Sequence, residues 1–546
     1  MSDPQPQSDL LITGARVYTA DPQHPWAEAV LTRGNTIRFV GSAAEARDLA
    51  GSSTERIHLP GALVVPGLND SHIHMTLAAA SLDMLDLTGV TALPELQARL
   101  RAFALANPDR PWLEAQGLPY EPLDNLDRPE RVALDEAVGD RPVYIRSFDW
   151  HTSWTNSVVL QRAGIERGAN IPLPNEVVVD PATGLSTGML KERMAQELVT
   201  NLMEPPSTSQ RDDMLCRAMT HLNHLGITSV QNLDGDPERL RQYDRLHAAG
   251  RLSIRAGHYM SIWSYTPRSY VAELAETVLG YTSAWSHALG IKLFIDGVVE
   301  TETALLFEPY MGTDATGVPD MDLQQYHEIV LEADRRGMNV ATHAIGDRGF
   351  HLTLNAYEEA ARANGPRPGR RHRVEHIEVS RPDDIPRLAR LGVTASMQPL
   401  HAAPGSDPRF TPWTRLVGPT REPYGFVWRR IAETGAALAF GSDWPIVKPD
   451  VRAGLYTALT RKSHDGMPAG GWQPQHCVTL AQALDAYTSG AAYAEGQEHV
   501  KGKLRAGMLA DITVFARDLF QMAPHEIPQA EIALTVLDGR VLFRSA

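Results

Sequence analysis

Cysteine is nearly absent from this chain: two residues in 546, Cys216 and Cys477, too few for a disulfide framework and too far apart for a Cys-x-x-Cys site. Both read as reduced core thiols. Basic charge is also in deficit, with 51 Lys and Arg against 66 Asp and Glu and a formal net charge of −15. That balance excludes the basic patches that nucleic acid and anionic membranes select. No apolar run approaches the roughly 20 residues of a membrane span. The stretch Met1 to Asp9 has neither the basic nor the apolar segment of a secretion signal. Internal repeats and low-complexity segments are missing too. What these absences leave is a cytoplasmic protein acting on small molecules. A homodimer is compatible with the sequence, which does not decide the oligomeric state.

The length exceeds one average domain and suits a large barrel with a second lobe. The first sixty residues read as short strands: Leu10 to Ile12, Ala15 to Thr19, Ala29 to Thr32, Thr36 to Gly41 and Arg56 to Leu59, with Arg33-Gly34-Asn35 as a hairpin turn. The last forty read likewise, with Asp511 to Phe515, Ala533 to Val536 and Arg540 to Phe543. Neither end alone can close a sheet. The expectation is one composite β-sandwich from residues 1–65 and 500–546.

Between the ends, apolar strands alternate with amphipathic helices, the pattern of βα units and a parallel sheet. Eight strands are expected: Ala62 to Pro66, Thr228 to Leu233, Ser253 to Met260, Ile291 to Ile295, Met338 to His343, His372 to Ile377, Val393 to Gln398 and Ala437 to Gly441. The fold class is therefore α/β, a TIM-like (β/α)8 barrel over 66–499 with its chemistry at the C-terminal strand ends. The gap from about 76 to 226 is too long for a loop and reads as an inserted lobe carrying Trp112, Tyr120, Trp150, His151 and Trp154. These aromatics suit either a substrate pocket beside the barrel mouth or packing of the lobe.

The strand-end residues form a pattern. The stretch Val64 to His74 ends in His72 and His74, which share one face of an extended chain. Taken alone they are two surface histidines on an edge strand or half a metal site. Lys292 stands among apolar neighbours on the fourth strand, His343 and His376 end the fifth and sixth, and Asp443 follows the eighth. A buried lysine loses its proton readily, and its neutral amine can add carbon dioxide to become a carbamate that bridges two cations. The alternative is a salt bridge to Asp296 or another carboxylate. Nitrogen and oxygen donors with few thiolates suit zinc, with manganese, iron, cobalt and nickel also fitting.

These motifs resemble the amidohydrolase superfamily over nearly the whole chain: Pro-Gly-Leu-Asn-Asp-Ser-His-Ile-His at 66–74, Thr-His-Ala-Ile-Gly-Asp at 342–347, Glu-His-Ile at 375–377, Gly-Ser-Asp-Trp-Pro at 441–445 and Gly-Lys-Leu-Arg-Ala-Gly-Met-Leu-Ala-Asp-Ile at 502–512. The long insertion with His151 to Ser157, and Lys292 through Asp296-Gly297, resemble the branch containing N-substituted formamide deformylases. The resemblance implies two Zn2+ per chain. His72 and His74 with Asp443 would hold the more buried metal and His343 with His376 the more exposed one, bridged by N6-carboxylated Lys292; an uncarboxylated Lys292 implies one metal. It also implies that Asp443 moves the proton from water to the leaving amine.

Substrate selection then falls to Trp112, Trp150, His151, Gln398, His401 and Trp444, each of which also has a packing or supporting role to fill. Arg146 and Arg348 suit a substrate carboxylate or internal salt bridges. The expected reaction is hydrolysis of a formamide or N-acyl C–N bond in a small molecule. Hydrolysis of a cyclic amide, ester or lactone is the alternative. Deamination is disfavoured because Ala344, Ile345 and Gly346 stand where deaminases of the superfamily carry a glutamate. A catalytically inactive binding protein is disfavoured because all six ligand positions are filled.

Overall fold

The computed structural model describes residues 9–124, 126–402 and 411–545; of the polar N-terminal stretch only Asp9 falls within them. The chain divides into two compact units, one taking in residues up to Thr76 and from Leu215 onward, the other Leu77–Met214. No helix among the described residues is long and apolar enough to cross a membrane.

The first unit contains eight parallel strands in sequence order: β1 (Leu68–Ile73), β2 (Ile227–Gly235), β3 (Arg255–Ser261), β4 (Ser286–Phe294), β5 (Asn339–Ala344), β6 (Arg373–His376), β7 (Thr394–Met397) and β8 (Leu438–Phe440). Helices such as Pro237–Ala248, Leu323–Arg335 and Asp347–Asn364 return the chain between them, each starting at or beside an Asp: Asp236 and Asp322 cap their first turns. Their apolar stripes, for example Tyr326, Ile329, Val330 and Ala333, are buried.

The parallel ladder runs from β1 to β8 and closes just beyond their ends. Asp443 N donates to His72 O at 2.7 Å, His74 N donates to Trp444 O at 2.9 Å, and Ile73 bridges Trp444. Buried Asp70 staples the same seam, its Oδ1 accepting from His72 N at 3.2 Å and Ser442 N at 2.9 Å. A glycine is required beside it: a Cβ on Gly441 would lie 2.4 Å from His72 N and 2.8 Å from Asp70 Oδ1.

The first barrel strand differs from expectation. Leu63–Pro66 does not enter the barrel; it pairs antiparallel with Ile512–Phe515 and parallel with Arg16–Val17. The apolar run is split at Gly67, where a Cβ would meet Thr228 Oγ1 at 2.2 Å. The strand on the far side, β1, then carries His72. Hydrophobicity marks only the first half: Leu63–Pro66 is apolar, whereas Leu68–Ile73 is buried although it carries Asn69, Asp70, Ser71 and His72, and the two halves join different sheets.

The two chain ends do combine. Leu10–Tyr18, Trp26–Arg33, Thr36–Gly41, Glu55–His58 and Leu63–Pro66 join Ile512–Phe515, Ile532–Leu537 and Arg540–Arg544 in one eight-stranded mixed sheet. The expected turn is present, with Arg33 paired to Thr36. Pairing links seven of these strands in one path, with Glu55–His58 branching from Leu10–Tyr18, so that all eight belong to one hydrogen-bonded sheet.

The second unit is built on a six-stranded sheet in the order Glu176–Asp180, Leu185–Lys191, Thr152–Thr155, Val143–Ser147, Leu113–Leu118 and Leu85–Asp86. Apolar clusters cover it, one around Leu96, Leu134 and Trp154 and another around Tyr144, Leu160 and Val199. The helix Thr208–His224 spans the division at Met214.

The seam generates a prediction. Gly441→Ala forces a methyl into β1 and should destabilise the protein by about 1–3 kcal/mol, the usual range for overpacking. Urea unfolding measures it, and a variant as stable as the parent would show that the seam has slack.

Candidate metal centre

The expected ligands come from the C-terminal ends of different strands. His72 is the penultimate residue of β1 and His74 follows its end; Lys292 lies near the end of β4, His343 in β5, His376 ends β6, and Asp443 follows β8. Ligand atoms of His72, His376 and Asp443 all lie within 4.8 Å of one another, and all three residues are buried. His74 Nε2 stands 3.0 Å and His72 Nε2 3.4 Å from Asp443 Oδ1. His343 packs edge-on against His376 with ring centroids 4.5 Å apart, and its Nε2 is 3.2 Å from Gly297 O.

Backbone strain concentrates at these residues. His376 (φ 75°), Ile377 (φ 50°) and Asp443 (φ 62°) all occupy the left-handed region without being glycine. Ile377 is the least tolerant of it, being β-branched. Hydrogen bonds impose these conformations: Ile377 N donates to Ala344 O at 3.2 Å, and Asp443 N to His72 O. Such strain persists only where surrounding structure over-determines it, and it collects at functional sites.

Electrostatics fit a cation. Burial pushes His72 down to about 4, against the upward pull of Asp443. Burial, then the neighbouring His343 and His72, drives His376 well below the ordinary histidine value. Burial raises the Asp443 carboxyl, but His72 and His74 outweigh it and hold the group well below the usual carboxylate range. Lys292 is fully buried, and desolvation lowers its amine to about 8 despite the nearby Glu375 and Asp443 carboxylates. Among the described residues, His72 Nε2, His74 Nδ1 and Lys292 Nζ are buried without a hydrogen-bond partner. Leaving such atoms unsatisfied costs about 1–3 kcal/mol each. Imidazole and amine nitrogens buried without partners, beside the mutually close ligand atoms of His72, His376 and Asp443, are donors that suit a borderline metal cation.

Several supporting residues were not singled out from sequence. Glu375 Oε2 accepts from His72 Nδ1 at 2.6 Å and is itself bound by Arg373. Asp296 accepts from the backbone N of Leu305, Ile345 and Gly346, and burial pushes its carboxyl up to about 7. Among the described residues no salt bridge joins it to Lys292, whose Nζ has no hydrogen-bond partner; His343 Nε2 lies 3.9 Å from its Oδ1. Glu378 accepts from Trp413 Nε1 at 2.9 Å and faces His401 Nδ1 at 3.7 Å. The readable signal was Arg373 and Glu375, two charges at i and i+2 on a strand that a barrel core would bury.

The expected substrate contacts divide. Gln398 supports a proposed ligand directly, its Oε1 accepting from His376 Nδ1 at 2.9 Å. His401 stacks parallel on His376 at 5.9 Å with its Nε2 3.7 Å from Asp443 Oδ2. Trp444 is buried, contributes its carbonyl to the barrel seam and packs at 5.3 Å on His221. Arg348 hydrogen-bonds Leu305 O through its backbone N. Trp112, Trp150, His151 and Arg146 belong to the second unit. There Trp112 packs on the Leu160 cluster, Trp150 (φ 64°) lies 4.6 Å from the Arg146 guanidinium, and His151 Nδ1 is 2.9 Å from Glu192 Oε2. Trp154 is wholly buried in the lobe core.

Residues 55–543 match the amidohydrolase family. The chain belongs to that family. It is 30% identical over 542 residues to YtcJ of Bacillus subtilis (strain 168), which carries an amidohydrolase name, covering 98% of this chain and 99% of that one. It is 26% identical over 549 residues to the N-substituted formamide deformylase of Arthrobacter pascens, covering 97% of each. Among solved structures, a metal-dependent hydrolase from Pyrococcus horikoshii shares the fold with a TM-score of 0.75 at 24% identity, covering 95% of this chain and 99% of that one.

The depressed His72 value carries a consequence for stability. A histidine at about 4 in the folded chain and near 6.5 in the unfolded chain binds a proton first on unfolding. Its contribution is therefore complete above pH 6.5 and is lost as pH falls toward 4, by up to about 3 kcal/mol. Urea unfolding of chelator-stripped protein across this window should show stability rising with pH, with a shallower slope in His72→Asn. An unchanged slope in that variant would mean that His72 does not titrate as described.

Proposed function

We propose that this amidohydrolase-family protein is a metal-dependent hydrolase that cleaves a C–N amide bond, in a formamide or N-acyl compound, of a small cytoplasmic substrate. The observation that carries the reading is the buried convergence of His72, His376 and Asp443 with His74 against the same carboxylate and an unpartnered Lys292 amine beside them. The formamide preference rests on similarity to the Arthrobacter pascens enzyme.

His72, His74 and Asp443 would hold one Zn2+, and His343 and His376 a second. Lys292 would contribute a further ligand as a carbamate, its neutral amine adding to carbon dioxide with formation of an N–C bond and release of one proton. A single ion held by His72, His376 and Asp443 is the second reading, favoured by the mutual reach of their ligand atoms. When bound, the metal supplies Lewis acidity, acidifying water and polarising the amide carbonyl. Asp443 Oδ2 then takes the proton as the water oxygen attacks the carbonyl carbon, and passes it to the nitrogen as the C–N bond breaks. The products are a carboxylic acid and an amine. His376 is kept in register by Gln398, and His401 lies against Asp443 Oδ2. Trp112, Trp150, His151, Gln398, His401 and Trp444 are the residues whose substitution is proposed to change substrate preference.

The test is metal analysis of the purified protein, then a screen of formamides, acetamides, N-acyl amino acids and lactones. Activity on amides that disappears with chelation and returns with Zn2+ is expected; lactone turnover without amide turnover would replace the reaction class, and protein holding no metal would remove the reading. Asp443→Asn should lower kcat at least about 100-fold, the lower range for a lost general base. A variant with near-parental kcat would assign the proton transfer elsewhere. Labelling with 13C-enriched carbon dioxide should place a carbamate signal on Lys292, absent in Lys292→Arg; an unmodified, metal-loaded Lys292 would leave the single-ion arrangement.

A further inference from the structure

One layer below the candidate centre, the barrel interior contains an ion pair with no solvent exposure. Arg373 and Glu375 lie two apart on β6 and so share a face. Glu375 Oε1 is 2.6 Å from Arg373 Nε, and Oε2 is 2.9 Å from Nη2. The guanidinium is fixed on every side: it also donates to Ser71 O on β1, to Ser396 Oγ on β7 at 2.7 Å, and to Gln231 Oε1 on β2. Gln231 is fixed in turn, its Nε2 donating to Ala491 O at 2.8 Å.

Stability does not explain this arrangement, because a buried ion pair replaced by apolar side chains of similar size is often no less stable. Glu375 has one further contact, and it points to the reason. Its Oε2 accepts from His72 Nδ1 at 2.6 Å, while His72 Nε2 on the opposite side of the ring is buried, without a hydrogen-bond partner, and faces Asp443. A carboxylate at Nδ1 selects the tautomer whose Nε2 carries a lone pair, fixes the ring plane and raises the basicity of that nitrogen.

We propose that Glu375, clamped by Arg373, is the positioning residue that makes His72 Nε2 a metal ligand. Arg373 acts through Glu375: without it the carboxylate would be free to turn from His72. The inference rests on the reading of His72 as a ligand, and adds that the barrel interior is organised to set the affinity of that ligand.

Metal binding itself is the readout. Zn2+ and Co2+ affinities are measured by chelator competition, and the Co2+ ligand-field absorption reports geometry. Glu375→Gln cannot satisfy both His72 and Arg373, and should bind either ion about 10- to 100-fold more weakly with an altered Co2+ spectrum. The double variant Arg373→Met/Glu375→Leu removes both charges together; it should recover parental unfolding stability while its metal affinity stays low. Parental affinity in Glu375→Gln, or affinity that recovers with stability in the double variant, would overturn the proposal and leave the pair a structural strut. If neither variant folds, Co2+-loaded parental protein decides: a paramagnetically shifted His72 Nδ1 proton that resists exchange into D2O is expected, and its absence overturns the proposal. Parental protein that binds neither ion would overturn the metal reading as well, which separates the two failures.

Discussion

Two backbone hydrogen bonds across the β1–β8 seam, Asp443 N to His72 O and His74 N to Trp444 O, close the barrel and assemble its candidate centre in one step. A parallel barrel offers no shorter connection between its first and last strands, so these contacts join residues 370 positions apart in sequence at large loop-closure cost. Strand pairing repays part of that cost, and Asp70 adds to it by accepting from both sides of the seam. The proposed ligands are thus consequences of closure: in an unclosed chain His72, His74 and Asp443 have no reason to meet. It also follows that Gly441 is required for backbone proximity rather than flexibility, since any Cβ there would enter the β1 backbone.

Closure brings charge into a place that disfavours it. Imidazoles, a lysine amine and carboxylates are buried together, and desolvation is the first effect on each of their proton affinities. The layers respond differently. Below, Arg373 and Glu375 neutralise each other with nearly every polar atom occupied, which is the condition under which a buried ion pair can stand. At the rim, donors are left unsatisfied around Asp443, and His376 and Asp443 carry left-handed backbones that cost about 1–3 kcal/mol each. A strained, unsatisfied upper layer resting on a satisfied lower one is the arrangement expected of a site whose binding energy comes from its ligand.

The legibility of this molecule in its sequence follows the range of each interaction. The alternation of apolar strands with capped helices is local, and seven of the eight barrel strands lie where periodicity puts them. The first does not, because the apolar half, Leu63 to Pro66, belongs to the end sheet while the barrel strand Leu68 to Ile73 is mostly polar, and nothing local states that the two halves join different sheets. The candidate ligands were legible as residue types because histidines recur at the strand ends. Their supports were not: Glu375 reaches His72 across 303 positions, and Gln398, read as a substrate contact, also hydrogen-bonds His376. Sequence shows which groups are unusual for their place, whereas which group satisfies which is decided only when the strands meet.

The composite end sheet bears on the chemistry through the register of β1. Gly67 N donates to Asp511 O and Leu68 N to Thr513 Oγ1, so the C-terminal strand holds the entry to β1 from outside the barrel. Asp511 in turn receives both Arg255 Nε and Nη2 at the start of β3, and Asp538 receives Nη2 as well. A one-residue slip in β1 would turn His72 away from Asp443 and Glu375, because successive side chains on a strand face opposite ways. The two ends of the chain are therefore not a separable appendage. By pinning β1 at Gly67 they decide which of its residues face the barrel interior, and hence that a histidine rather than its neighbours Ser71 or Ile73 meets the carboxylates.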